Sequence, residues 1–159
     1  MSSTGEQRHT PSQRLLFLCT GNYYRSRFAE MLFNTLAAEA DLDWTATSRG
    51  IAADFGVQNV GPMSVHAVEG LMVRGIFVDE QVRFPIQLEE QDLEEADLVV
   101  ALKEAEHRPL LRLRFPQWPD RVEYWHVDDL DLASPGGALG KIEMGVRDLI
   151  QRLRSNGHG

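Results

Sequence analysis

Cys19-Thr20-Gly21-Asn22-Tyr23-Tyr24-Arg25-Ser26 gathers in one short stretch the groups that phosphate-ester chemistry requires. Cys19 is the only cysteine of the chain, and five residues separate it from Arg25. A loop that feeds a helix N-terminus points backbone N–H groups outward and carries partial positive charge, so it attracts anions. A cysteine in that field is stabilised as thiolate, the nucleophilic form. Arg25 adds a permanent cation whose planar fork matches two phosphate oxygens. A cation at a helix start is unfavourable unless an anion is expected there. Free cysteines are often buried structural thiols, but a strand-end position ahead of Gly21 and Arg25 favours the nucleophile. Gly21 and Asn22 tolerate left-handed backbone angles, which a loop with converging N–H groups needs. Ser26 can cap the helix that follows.

These groups work only if a strand and a helix hold them. Leu15-Leu16-Phe17-Leu18 is a short apolar run, as expected of a strand buried on both faces. From Ser26 onward, Phe28, Met31, Leu32 and Leu36 recur at helical spacing, which predicts a helix over about 26–40. A second strand is expected over about 44–48. A second helix starts near Pro62, with Val65, Val68, Leu71 and Met72 on one face and Gly75 as its stop. The acidic segment 89–95 reads as a solvated helix face. Another apolar run over 97–102 predicts a central strand, followed by a helix over 103–114 and a last strand over 122–125. Leu139, Ile142, Val146, Leu149 and Leu153 place the final helix over about 138–154. Strand–helix alternation of this kind predicts an α/β fold. It is a single three-layer domain over 14–154, with an open, mostly parallel four-stranded sheet and helices on both faces. Ligands of such sheets bind beyond the carboxyl ends of the strands, which is where Cys19 falls. Residues 1–13 read as a disordered leader without the apolar core of a secretion signal, and 155–159 as a loose tail.

With these residues in view, the chain resembles the low-molecular-weight protein tyrosine phosphatase family, to which thiol-dependent arsenate reductases are related. Cys19-x5-Arg25-Ser26 directly after the first strand, with Gly21 and Asn22 inside the loop, is the main match. Ser48-Arg49-Gly50 stands where the family usually has Ser-Ala-Gly. The run Asp97 to Leu102 followed by His107 resembles its central strand and downstream histidine, and Trp125-His126-Val127-Asp128-Asp129 its late acid-bearing loop. The likeness spans roughly residues 14 to 153. It implies a phosphomonoester hydrolase acting through a cysteinyl-phosphate intermediate, with Cys19, Arg25 and Asp129 as catalytic residues. Thr20, Gly21, Asn22, Tyr23, Tyr24, Arg25 and Ser26 would bind phosphate. It implies that Asn22 stiffens the loop, that Ser48 supports it, and that the Ser26 hydroxyl bonds the thiolate.

The reaction needs a proton donor for the leaving oxygen and later a base for water. Asp128, Asp129 and Asp131 are the candidates, and alignment on Trp125-x-Val127-x-Asp129 points to Asp129. Leu130 takes the place of the family's proline after the acid. The aromatic residues that follow the acid in many relatives are replaced by Leu130, Asp131 and Leu132. Tyr24 stands where relatives often carry a second cysteine, so no intraloop disulfide can form and Cys19 is open to direct oxidation. Tyr23 either lines the pocket mouth or packs on the fold. Arg27 replaces a commoner proline, a change that concerns the helix start rather than the chemistry.

Composition narrows the class further. The 159 residues fit one domain, and the net charge of −8 argues against nonspecific nucleic-acid binding. No apolar run reaches the roughly 18 residues of a membrane helix. A single cysteine makes neither an intramolecular disulfide nor a cysteine-rich zinc site, which suits a cytoplasmic location. His66, His107 and His126 are scattered, so no metal site is expected, and neither metal nor organic cofactor is required. Trp118 and Trp125 read as core or rim residues. The partner is a phosphorylated protein or a small phosphoester, and a monomer is expected. Two alternatives stand beside hydrolysis: arsenate reduction with an external thiol, and a noncatalytic phosphate-binding module.

Overall fold

The computed structural model describes residues 12–56, 58–128 and 135–156. Four strands, β1 (Gln13–Cys19), β2 (Trp44–Gly50), β3 (Leu98–Ala101) and β4 (Glu123–Tyr124), form one sheet in the order β2-β1-β3-β4. Every pairing is parallel, and the register sets Cys19 beside Gly50 and Leu18 beside Ala101. Among the described residues five α-helices accompany the sheet: α1 (Arg25–Glu39), α2 (Val65–Met72), α3 (Glu90–Glu95), α4 (Glu104–Arg114) and α5 (Pro135–Asn156). The expected α/β architecture is the observed one.

Alternation along β1 builds both layers. Leu15 and Phe17 join Phe28, Leu32 and Phe33 of α1 and Ile142, Val146 and Leu149 of α5. Leu16 and Leu18 join Leu93 of α3, Leu111 of α4, Trp118 and Val122 on the other face. A strand that feeds two cores must be apolar along its buried length, and β1 is so from Leu15 to Cys19. Phe17 meets Phe33 and Trp125 edge-on at centroid distances of 6.2 and 5.8 Å. Each such fully buried side chain contributes roughly 1.5–3 kcal/mol through burial.

Boundaries differ from expectation at loops. The second helix begins at Val65, because Ser64 Oγ accepts from His66 N at 3.1 Å and caps it past Pro62. Gly75 follows that helix with φ of 81°. The last helix starts earlier than expected, at Pro135. Short 3-10 turns at Ala53–Gly56 and Pro119–Arg121 carry no periodic signal and were not expected. No helix among the described residues is long and apolar enough to cross a membrane.

The order β2-β1-β3 means that the chain leaves β1 toward one neighbour and returns on the other side. Such a switch point opens a crevice at the carboxyl ends of the strands. Cys19, the last residue of β1, stands there. A cleft of about 780 Å³ lies at the amino ends of β1 and β2 beside Asp41, Trp44 and Arg154, away from Cys19.

Candidate active site

Cys19 ends β1 and Tyr24 precedes α1, so residues 20–24 form the turn between them. The first turn of α1 has no side-chain cap and no acidic residue, and Arg25, Ser26, Arg27 and Phe28 are all buried. A buried helix start with uncapped N–H groups and two arginines is built for an anion. Asn22 takes φ of 55°, the left-handed conformation expected of it; Gly21 is not in that region. The requirement on glycine falls instead on Gly50. A Cβ there would lie 2.9 Å from Thr20 O and 3.1 Å from Asn22 N, so the turn rests directly on the end of β2.

A hydrogen-bonded chain fixes the sulfur. Cys19 Sγ lies 2.9 Å from Ser26 Oγ. Asn22 Nδ2 donates to Ser26 Oγ at 2.8 Å and to Ser48 Oγ at 2.9 Å. Ser48 Oγ in turn donates to Glu30 Oε1 at 2.5 Å. Ser26 therefore does not cap the helix; its hydroxyl meets the sulfur, as the family likeness implied. Asn22 and Ser48 likewise hold the turn from within.

Arg25 is 2% exposed and is gripped from two sides. Nη1 donates to Val127 O at 2.9 Å, and Nη2 to Glu106 Oε2 at 2.8 Å. Glu106 also accepts from Thr20 Oγ1 and lies 3.3 Å from His107 Nε2. Burial pushes the Glu106 carboxyl up. Hydrogen bonds from His107, Arg25 and Thr20, with the charge of Arg25, outweigh it and hold the group well below the usual carboxylate range.

Of the three candidate acids, Asp128 is ion-paired to Lys103 Nζ. Asp129 and Asp131 lie outside the described residues. Tyr23 donates its hydroxyl to Val60 O at 2.5 Å, so the side chain is tied to the neighbouring loop. Tyr24 is buried in the core beside α1. Glu106, Arg27 and Arg83 contact the turn, Glu30 reaches it through Ser48 and Arg83, and sequence reasoning missed the part each plays there. Glu106 had a usable signal: residues just past β3 must approach the end of its neighbour β1.

The chain belongs to the low molecular weight phosphotyrosine protein phosphatase family, whose family model matches residues 14–156. It is thus a cysteine-dependent phosphatase. A relative from Bacillus subtilis (strain 168), described as a protein-arginine-phosphatase, is 33% identical over 87% of this chain and 90% of its own length. The crystal structure of a low molecular weight protein tyrosine phosphatase from T. tengcongensis is 31% identical, with a TM-score of 0.73 over 89% of this chain and 99% of that one. A YwlE arginine phosphatase, solved as a cysteine-to-serine mutant with phosphorylated active-site serine, is 28% identical, with a TM-score of 0.72 over 89% of this chain and 96% of that one.

Proposed function

We propose that this phosphatase removes phosphoryl groups from protein side chains, with Cys19 as nucleophile, Arg25 as oxyanion clamp and Asp129 as general acid and base. Cys19 Sγ attacks phosphorus and forms the S–P bond. The bond from phosphorus to the leaving atom breaks, and Asp129 gives that atom its proton. Water then attacks the cysteinyl phosphate, passes a proton to Asp129, and the S–P bond breaks to release inorganic phosphate. Backbone N–H groups of residues 20–26 and the Arg25 guanidinium hold the equatorial oxygens throughout. One observation carries this reading: the sulfur lies 2.9 Å from Ser26 Oγ at the uncapped start of a helix whose first residue is a buried arginine. The pairing of Asp128 with Lys103 supports Asp129 over its neighbour, because a carboxylate held by a cation is a poor proton donor. The phosphorylated nucleophile position in the YwlE variant supports a covalent intermediate here, and the phosphatase relatives favour hydrolysis over arsenate reduction or a silent binding module.

Phosphotyrosine is the substrate that the family description indicates. Phosphoarginine is the second reading, favoured by the protein-arginine-phosphatase relative. There the breaking bond is P–N and the acid protonates the guanidino nitrogen. Comparing kcat/KM on one peptide carrying either group, with Cys19→Ala as control, tests both. Turnover of at least one that depends on Cys19 supports the function. Equal release by Cys19→Ala contradicts it.

A further inference from the structure

Two arginines besides Arg25 reach the turn, both at Asn22. Arg27 is 1% exposed. Its Nη1 donates to Pro62 O at 3.0 Å and, more distantly, to Asn22 O at 3.4 Å, while Nη2 donates to Arg83 O at 2.6 Å. Nε is buried and makes no hydrogen bond among the described residues. Arg83 reaches the same turn with its own side chain. Its Nη1 donates to Asn22 Oδ1 at 3.0 Å, and Nη2 to Ser48 O at 3.0 Å and Glu30 Oε1 at 3.2 Å.

Burying a guanidinium is expensive unless its donors are used and an opposite charge stands nearby. The three carbonyls use two of its nitrogens. They belong to three separate segments: the turn itself, the stretch before α2, and the stretch before α3. Asn22 is the common point. Its carbonyl receives Arg27, its side-chain oxygen receives Arg83, and its amide orients Ser26 against the sulfur.

We propose that Arg27 is a positioning residue for phosphoryl transfer. Its buried guanidinium ties Asn22, Pro62 and Arg83 together at the phosphate-binding turn, and so holds the Asn22 amide that orients the Ser26 hydroxyl against the Cys19 sulfur. This rests on the phosphatase reading above. Burial, then repulsion from Arg83, lowers the Arg27 pKa to about 10, whereas Glu30 and Cys19 favour the charged form. The group thus remains a cation at neutral pH. The described charged groups that contact the turn, Arg25 or Ser48 are Arg25, Arg27 and Arg83 as cations and Glu30 and Glu106 as anions. All but Arg27 are unchanged in the variants below.

The test compares Arg27→Met, which keeps bulk without charge, with Arg27→Lys, which keeps charge without the fork. Two readouts are taken well below the thermal midpoint of each variant. One is the pH profile of Cys19 alkylation by uncharged iodoacetamide; the other is kcat on para-nitrophenyl phosphate. Folded Arg27→Met should alkylate along a profile moved to higher pH and lose about tenfold or more in kcat. Arg27→Lys, which lacks the fork, should recover the profile and kcat only in part. An unmoved profile in folded Arg27→Met overturns the proposal. If Arg27→Met does not fold, Arg27→Lys decides alone: a profile moved to higher pH with lowered kcat supports the proposal, and an unmoved profile or unchanged kcat overturns it. Absence of Cys19-dependent hydrolysis in the wild type would instead defeat the phosphatase reading, and the alkylation profiles would still report on Arg27.

Discussion

Arg25 is presented by what lies behind it. Glu106 and the Val127 carbonyl take hydrogens from one side of the guanidinium and fix its plane at the helix start. Glu106 also accepts from Thr20, so a single carboxylate joins the first residue of the turn to the first residue of α1. Replacing it by glutamine keeps the size and removes the charge. Glu106→Gln should lower kcat/KM about tenfold or more, as expected when a clamp loses its aim. A pH effect on stability follows from the same group. The folded pKa lies below the ordinary value of 4.5, so ionised Glu106 stabilises the fold fully above that value. The contribution fades as pH falls through and below it. The unfolding free-energy difference between wild type and Glu106→Gln, measured by urea titration, should be widest near neutrality and narrow below pH 4.5. A gap that stays constant from neutral to acid pH would contradict this role.

At the scale of elements, β2 serves as the floor of the turn. Its last residue is glycine because the backbone of residues 20–22 passes within contact distance of that Cα. A methyl group would meet backbone atoms, which cannot swing aside as a side chain can. Gly50→Ala should therefore lower kcat about tenfold or more while leaving a folded domain, because the displaced turn misplaces its N–H groups. Wild-type kinetics in that variant would show that the turn does not depend on the floor. The same geometry explains which parts of the site the sequence reveals. Cys19, Asn22, Arg25 and Ser26 lie within eight residues of one another in the sequence, and an apolar run followed by helical periodicity locates their strand and helix. Glu106 bonds Arg25 across 81 positions, and Arg83 bonds Asn22 across 61. Such contacts are set by strand order and packing, which periodicity does not encode. Arg27 reads as a change at the helix start; its carbonyl partners appear only once the loops before α2 and α3 are folded over the turn. Ser48-Arg49-Gly50 showed its place through the family likeness, but the steric reason for Gly50 needed the register of β1 against β2.

For the molecule as a whole, one cysteine must serve every thiol need. Peroxide would oxidise the Cys19 sulfur to a sulfenic acid, with the peroxide released as water. No second thiol in the chain can then form a protecting disulfide. Peroxide should abolish activity, added dithiothreitol should restore it while oxidation stops at that stage, and inorganic phosphate in the site should slow the loss. Activity that survives full oxidation of Cys19 would contradict the assigned nucleophile. The most direct test of the central claim is to trap the intermediate. Asp129→Ala, slowed in its second step, is mixed with para-nitrophenyl phosphate, quenched within a turnover and digested for mass spectrometry. The account predicts one phosphoryl group on the peptide carrying Cys19, and none when Cys19→Ala is added to the same background. Product formation with that peptide never phosphorylated would contradict it.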